Sequence, residues 1–253
     1  MAVTLRLPTV RGATTLALLL SSCVPEGPAT LEGAPAAAKP APTAARPRAA
    51  EGGAPSSPTL TAPFEDTFDR VELGPDWNVL SPKWKISGGR LCVRGARNRG
   101  VWLTRKLPVN ARIEFDAYSE SSEGDLKAEI WGDGVSGATG TSYTNATSYL
   151  AILGGWKNTR HVLARLDEHG DDRLELEVEP NSDDERARPV EAGQPYRFVI
   201  ERADGKTVQW SVNGLTLFDL PDPEPLSGAG HEHLGFNEWD APVCFDNLKV
   251  TPL

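Results

Sequence analysis

The sequence lacks the motifs by which many enzyme and nucleic-acid-binding classes are recognised. It contains no P-loop, no dinucleotide-binding fingerprint and no serine, histidine and aspartate order that would indicate a hydrolase triad. Basic residues are also in the minority, with 26 Lys and Arg against 35 Asp and Glu, for a formal net charge of −9 at pH 7. Because phosphate contacts dominate nucleic-acid affinity, an acidic chain without a basic stripe argues against a nucleic-acid partner.

Helical periodicity and fixed-period repeats are missing too. The body of the chain, residues 63–253, instead shows short alternating runs separated by turns, of which Ala111–Ser119 is the clearest. Two tight hairpins are indicated, one at Ala203–Lys206 and one at Asn213-Gly214. We count about thirteen strands, which predicts an all-β domain built as a two-sheet antiparallel β-sandwich.

The last strand-like stretch, Gly235–Val250, gives the first expectation about topology. A turn at Asp240–Pro242 divides it, and Asp246-Asn247 interrupts the alternation as a β-bulge would. An exposed edge this apolar would aggregate, so the strand must be paired. We expect its partner to be the beginning of the domain, Phe64–Asp69, so that the two ends of the domain meet in one sheet.

Residues 1–23 have the pattern of an export signal, with an apolar run, Ala13–Leu20, that is too short to span a bilayer. The run ends in a sequence that resembles the bacterial lipobox, in which the cysteine, here Cys23, is lipidated and becomes the mature N-terminus. The alternative is an ordinary secretory signal with an incidental cysteine. By resemblance to the Gram-negative sorting rule, Val24 favours the outer membrane, which the protein would touch through its lipid anchor only.

Residues 24–62 are rich in Ala and Pro and show no hydrophobic period. Such a stretch cannot bury enough apolar surface to offset the entropy lost on ordering, so we predict a disordered linker. Its expected role is to hold the domain of residues 63–253 away from the membrane.

Four segments of the body carry a resemblance to a known family. Together they are similar to the motifs of the concanavalin A-like lectin and glucanase jelly roll, which includes LamG-like domains. The segments are Phe68–Trp77, Trp84–Leu91, Val208–Gly214 and Phe245–Val250. The resemblance implies two antiparallel sheets packed face to face, the inner one concave. The superfamily holds lectins, binding modules, glycoside hydrolases and lyases, so the fold alone does not give an activity.

In this fold the early strands and the closing strand share a sheet, which brings Cys92 and Cys244 within reach of each other. Export would place them in an oxidising compartment, and lipidation of Cys23 would leave an even pair. We therefore predict a disulfide between Cys92 and Cys244, with two separate buried thiols as the alternative.

A glycosidase of this fold would need two carboxylates across a groove. The nearest match is Glu114-Phe115-Asp116, followed by Glu120, which lies too far along the chain for the glucanase motif. We therefore assign no catalytic residue, although sugar lyases and other hydrolases of the fold have less rigid motifs.

Sugar binding requires aromatic platforms beside planar polar groups. If the strands that carry them lie in the concave sheet, a set of such side chains converges there. The predicted ligand-binding residues are Glu129, Trp131, Asp133, Trp156, Arg165, Asn237 and Trp239. The alternative is that Trp131 and Trp239 cover the core at the edge of the sheet.

Two groups of side chains contain the residue types that bind metals. His231-Glu232-His233 could present two imidazoles but has no nearby third ligand, so we predict no metal site there. Calcium at an acidic cluster remains an alternative to a solvated turn; the cluster comprises Asp133, Asp167, Asp171 and Asp172.

These observations favour a lipid-anchored, non-enzymatic module that binds a glycan or another surface polymer. The alternatives are a glycoside hydrolase or lyase of the same fold, and a structural envelope lipoprotein without a small ligand.

Overall fold

The computed structural model describes residues 57–253, which form two antiparallel sheets. The strands are β1 Phe64–Asp66, β2 Trp77–Val79, β3 Lys85–Ser87, β4 Arg90–Val93, β5 Val101–Leu103, β6 Ala111–Ser119, β7 Leu126–Gly132, β8 Tyr149–Gly154, β9 Arg160–Arg165, β10 Leu174–Glu177, β11 Pro195–Arg202, β12 Thr207–Val212, β13 Leu215–Pro221, β14 His233–Asn237 and β15 Val243–Pro252. A short helical turn, α1, spans Gly155–Asn158, and a 3₁₀ helix spans Glu185–Ala187. In this part of the chain no helix has the length and apolarity needed to cross a membrane. The predicted export signal, Cys23 and most of the predicted linker lie outside the described residues.

The eight-stranded sheet has the order β13-β12-β11-β6-β15-β4-β3, with β1 also paired to β15. The seven-stranded sheet has the order β10-β9-β8-β7-β14-β5-β2. Both are antiparallel throughout, which confirms the predicted all-β sandwich. The two predicted hairpins are also confirmed, since they join β11 to β12 and β12 to β13. The structure adds two strands to the thirteen expected, because three-residue strands carry too little alternation to be counted from sequence.

The closing strand behaves as expected. Phe64 pairs with Val250, so the beginning and the end of the domain meet in the eight-stranded sheet. The register against β6 shifts between Asp246 and Lys249, which confirms the predicted bulge. Cys92 and Cys244 face each other in register and form a disulfide.

The core lies between the inner faces of the two sheets and is rich in aromatic rings. Phe236 of the seven-stranded sheet stacks on Phe245 of the eight-stranded sheet, with ring centroids 4.3 Å apart. Phe115 meets Phe236 edge to face at 5.0 Å and stacks on Phe198 at 4.8 Å. All four rings are fully buried, and such contacts add about 0.5–1.5 kcal/mol per pair beyond area burial. The two sheets are therefore firmly joined, and their outer faces are left to interact with other groups.

Candidate functional site

The outer face of the seven-stranded sheet is covered by residues 133–148, which we call the covering segment. Tyr143 and Ala146 of this segment pack on apolar side chains of the sheet and form a second, smaller cluster with them. The sheet residues of the cluster are Leu150, Ile152, Val162 and Ala164. The indole of Trp102 in β5 donates to the carbonyl of Ser136 at 2.9 Å, which ties the start of the segment to the sheet. Most of this face is consequently closed to solvent.

Glu129 lies in the middle of the covered face and is 1% exposed. Its carboxylate accepts hydrogen bonds from Tyr143 Oη at 2.8 Å, Ser148 Oγ at 2.7 Å and Asn237 Nδ2 at 2.5 Å. Burial raises the pKa of Glu129 to about 7, against the lowering effect of these three donors. Glu129 and Asn237 thus hold the covering segment to the sheet through a buried polar network.

A second buried polar group lies one pleat away, at Lys127. Its ammonium donates to Glu168 Oε2 at 2.8 Å and to Asn98 Oδ1 at 2.7 Å. Burial alone would lower the pKa of Lys127, but the carboxylates of Asp125 and Glu168 outweigh it, so the pKa is raised. Burial also raises the pKa of the Asp125 carboxyl, although the Lys127 ammonium opposes that effect. The three side chains therefore form a compact charged cluster.

This charged cluster forms part of the wall of a cavity of about 400 Å³ at one end of the covered face. Asp125, Lys127 and Glu168 line it together with Ile152. Two aromatic side chains from different loops complete the cavity, Trp156 from α1 and Trp239 from the connection between β14 and β15. Charged and apolar groups thus converge on one concave site, the arrangement that ligand pockets share.

The exposure of the tryptophans sets this site apart from the rest of the domain. Five of the seven tryptophans are buried, and Trp156 and Trp239 alone keep partial exposure. Both line the same cavity. A partly exposed indole forgoes some of the burial energy of a large side chain, about 25 cal/mol per Å² of apolar surface. Two such side chains at one cavity indicate a surface shaped for an apolar or ring-bearing ligand.

Trp156 lies in a left-handed backbone turn. Trp156, Lys157 and Asn158 have φ values of 50°, 61° and 63°, in the left-handed region that costs L-residues about 1–2 kcal/mol each. Side-chain bonds hold the turn in place, because Asn158 Nδ2 donates to the carbonyl of Val190 at 2.8 Å and its Oδ1 accepts from the Val190 N–H at 2.9 Å. The surrounding structure thus fixes a conformation that this segment would not adopt alone.

Trp239 is positioned by the opposite wall. Its backbone N–H donates to Asp125 Oδ2 at 2.7 Å, and the guanidinium of Arg97 lies over its ring at 4.6 Å from the centroid. The preceding residue, Glu238, accepts from the N–H groups of Gly95 at 3.1 Å and Ala96 at 2.7 Å. Burial raises the pKa of Glu238 to about 7 despite these two bonds. The loop that carries Trp239 is therefore held by buried hydrogen bonds on both sides.

Trp131 lies elsewhere than expected. Alternation along β7 places Lys127 and Glu129 on the outer face and predicts the same for Trp131. The register shift of β14 against β7 skips Trp131, whose φ of 54° turns its side chain into the core between the sheets. There the ring meets Tyr149 edge to face and receives the Arg202 guanidinium at 3.8 Å. The alternative role in the core is the one that the geometry supports.

Two further predicted residues have structural partners away from the cavity. Asp133 accepts from the N–H groups of Val135 at 2.9 Å and Ser136 at 2.8 Å, so its carboxylate stabilises the first turn of the covering segment. Arg165 donates from Nε to Asp222 at 2.8 Å. Of the seven predicted residues, the structure brings only Trp156 and Trp239 to the cavity, with Glu129 and Asn237 buried beside it.

The histidines considered as metal ligands bond to the backbone. A ring nitrogen of His231 lies 2.7 Å from the Thr147 carbonyl, and one of His233 lies 2.9 Å from the Leu103 carbonyl. Within residues 57–253, no group of three or more His, Cys, Asp or Glu side chains is arranged to hold a metal ion.

Sequence reasoning missed Asp125 and gave Glu168 no specific role. Asp125 follows Gly124, and both have positive φ, at 64° and 68°. The Asp125 N–H donates to the Gly154 carbonyl at 2.9 Å, which draws the start of β7 against the loop of Trp156. Glu168 lies 41 residues from Lys127 in the chain. A Gly-Asp pair before a strand is a turn signal, which could have drawn attention to Asp125, but the local pattern contains no signal for these long-range partners.

No protein-family model matches the chain, and no curated protein matches it. Solved structures do. The carbohydrate-binding module CBM66 from Bacillus subtilis is similar with a TM-score of 0.51 and 16% identity, covering 70% of this chain and 97% of that one. The carbohydrate recognition domain of Emp47p is similar with a TM-score of 0.51 and 11% identity, covering 76% of this chain and 95% of that one. A sialidase is similar with a TM-score of 0.51 and 15% identity, covering 77% of this chain but only 19% of that one.

The domain has the concanavalin A-like fold. At these identities the likeness to solved structures shows the fold alone, and it agrees with the two antiparallel sheets described above.

Proposed function

We propose that the domain is a carbohydrate-binding module whose ligand occupies the cavity between Trp156 and Trp239. The observation that carries the proposal is that the two partly exposed indoles of the domain line one cavity. Sugar rings offer apolar C–H faces that stack on indoles, and their hydroxyls bond to carboxylate and ammonium groups such as those of Asp125 and Lys127. The names of two similar structures, a carbohydrate-binding module and a carbohydrate recognition domain, support this choice among the functions of the fold.

The charges around the cavity favour an uncharged glycan. Lys127 pairs with Glu168 at 2.8 Å, and Asp240 at the rim pairs with Arg97 at 3.3 Å. Three further charged groups line the cavity without an ion-pair partner within 4.0 Å in the described part of the chain: the carboxylates of Glu123 and Asp125 and the ammonium of Lys157. Because carboxylates outnumber ammonium groups among them, the cavity wall keeps a net negative charge. A uronate or another acidic sugar would meet repulsion there, whereas hydroxyls can donate to Asp125.

Binding is tested by calorimetric titration of the domain with neutral and acidic polysaccharides, among them laminarin, mannan, dextran, inulin, alginate and polygalacturonate. Trp156→Ala and Trp239→Ala should each weaken binding by about 1–3 kcal/mol, as aromatic hot spots do, and should leave the thermal midpoint within a few degrees. Tyr118→Ala is the matched control, because Tyr118 is also half-buried and covered by an arginine, Arg90, but lies on the other sheet. Failure of every glycan to bind, or equal loss in the control, would refute the proposal.

A second candidate is glycoside cleavage at the same cavity. The observation that favours it is that two carboxylates, Asp125 and Glu168, line the cavity with an ammonium beside them. A pair of carboxylates in different environments is what acid and base catalysis on a glycoside requires. A reducing-end release assay on the glycans that bind distinguishes the two candidate functions. Turnover that is abolished by Asp125→Asn or Glu168→Gln would show that the domain is an enzyme.

For the chain outside the described residues, we propose export and lipid anchoring at the cell envelope, at the outer membrane. Support comes from the lipobox-like sequence that ends at Cys23 and from Val24 after it. Multiple acyl chains would anchor firmly, since each buried CH₂ contributes about 0.8 kcal/mol. Cys23→Ser should move the protein from the membrane fraction to the soluble fraction. Recovery of both proteins in the soluble fraction would exclude the anchor.

A further inference from the structure

The covered face of the seven-stranded sheet leaves no surface on which a sugar chain could lie. The outward-facing side chains along its central strands are essentially inaccessible. They are Trp102, Glu129, Leu150, Ala164 and Asn237, each no more than 1% exposed. The covering segment occupies the space above them, with Tyr143 at 0% exposure in its centre. A polysaccharide that crossed this sheet would have to displace a segment held by the hydrogen bonds of Glu129.

The cavity begins where this cover ends. Thr141 and Ser142 of the covering segment form one wall, and the fully buried Tyr143 follows directly behind them. Toward the centre of the sheet the cavity is therefore closed. Its volume of about 400 Å³ lies at the small end of the roughly 300–1,000 Å³ typical of ligand pockets, which leaves room for about one or two sugar rings.

The two indoles limit the ligand further. Trp156 and Trp239 reach the cavity from α1 and from the β14–β15 connection, so they bound it from separate loops. A sugar ring between them must enter from the solvent side, because the inner end is closed by Lys127 and Glu168, both of them buried. Internal units of a chain need an exit at both ends of a groove, whereas a terminal unit needs one entrance.

We propose that the cavity recognises the terminal sugar of a glycan chain and does not bind internal units. This inference rests on the proposed function, since it specifies which part of a glycan enters the same cavity. It assigns Tyr143 and the covering segment a role in specificity, because they close the face along which an internal stretch would otherwise run.

The test uses the neutral polysaccharide that binds best among laminarin, mannan, dextran and inulin. One sample is left intact, and a second is partly hydrolysed with mild acid until methylation analysis shows about five times as many terminal sugar units at the same sugar mass. Calorimetric titration then gives the number of binding sites per gram of each sample. Terminal recognition predicts about five times as many sites per gram after hydrolysis, with an unchanged dissociation constant per site.

An unchanged or smaller number of sites per gram would overturn the inference while leaving glycan binding intact. Absence of binding by these four polysaccharides and by the two acidic ones would instead refute the proposed function itself. Trp239→Ala serves as the control for the site, because it should weaken binding to both samples by the same factor. If hydrolysis raised the capacity of the variant alone, the extra sites would lie outside the cavity and the inference would be wrong.

Discussion

The outer faces of the two sheets are built from similar alternating strands but differ in what they do with charge. On the eight-stranded sheet the charges stay in solvent, as in the ion pair of Arg112 with Glu201 at 2.8 Å, whose side chains are 41% and 30% exposed. On the seven-stranded sheet the pair of Lys127 with Glu168, also at 2.8 Å, is 3% and 8% exposed. The two ion pairs therefore have the same length but should contribute very differently to the free energy of unfolding.

The covering segment is the cause of this difference. Residues 133–148 turn a solvated strand face into a buried polar layer and leave one cavity at its end. Burying charges is costly unless each is paired and hydrogen-bonded. Lys127 is paired with Glu168, and Glu129 accepts hydrogen bonds from three neutral donors. Because the buried polar groups of this face must all form hydrogen bonds or ion pairs, their side chains are held in fixed positions, which suits a binding site.

The largest expected effect concerns the eight-stranded sheet, in which the disulfide between Cys92 and Cys244 links β4 to β15. The bridge links residues 152 apart, for which the chain-entropy model gives about 5 kcal/mol of stabilisation as an upper figure. The double substitution Cys92→Ser with Cys244→Ser should lower the urea midpoint strongly. Alkylation of the unreduced, denatured wild-type domain should label neither cysteine; two labelled thiols, or an unshifted midpoint, would contradict the bridge.

The next effect tests the two ion pairs directly. Lys127→Met should cost about 3–5 kcal/mol of unfolding free energy, because it leaves the buried Glu168 carboxylate without its ion-pair partner. Arg112→Met on the other sheet removes a pair of the same length but should cost less than about 1 kcal/mol. Urea unfolding of both variants provides the measurement. Similar losses would show that the covered face is wetter than the structure indicates.

The pH dependence of stability should also reflect the covered face. The folded pKa of Glu129 is raised to about 7 from 4.5, so its contribution is fully present below pH 4.5 and is lost as pH rises to 7. The loss amounts to up to about 3 kcal/mol, from 1.36 kcal/mol per pKa unit. Glu238, with a pKa of about 7, adds a loss of the same sign. Glu129→Gln should flatten the fall in unfolding free energy between pH 5 and 8, and a slope equal to that of wild type would be inconsistent with a buried, titrating Glu129.

The sequence predicted the fold better than the site, and particular residues show why. Alternation in Ala111–Ser119 and the Asn213-Gly214 turn are local signals, and both were confirmed. Trp131 failed the same rule because a bulge changes its side, and bulges of a single residue leave little trace in a pattern of period two. The covering segment has no periodicity at all, so neither the burial of Glu129 nor the partnership of Lys127 with Glu168 could be read from sequence.

The smallest expected effect comes from substituting glycine for two exposed lysines, each in a loop that joins two strands of one of the sheets. Lys157 has a φ of 61°, whereas Lys206, in the hairpin between β11 and β12, is not in the left-handed region. Glycine adopts that region without the steric cost of about 1–2 kcal/mol, but it carries an entropic cost of about 0.5–1 kcal/mol. Lys157→Gly should therefore raise the unfolding free energy by about 0.5–1 kcal/mol relative to Lys157→Ala, and Lys206→Gly should lower it relative to Lys206→Ala. Because Trp156 itself is unchanged, the gain would measure the strain that the turn stores in presenting this indole. A loss of stability in Lys157→Gly would mean that the turn is not strained and that Asn158 alone fixes it.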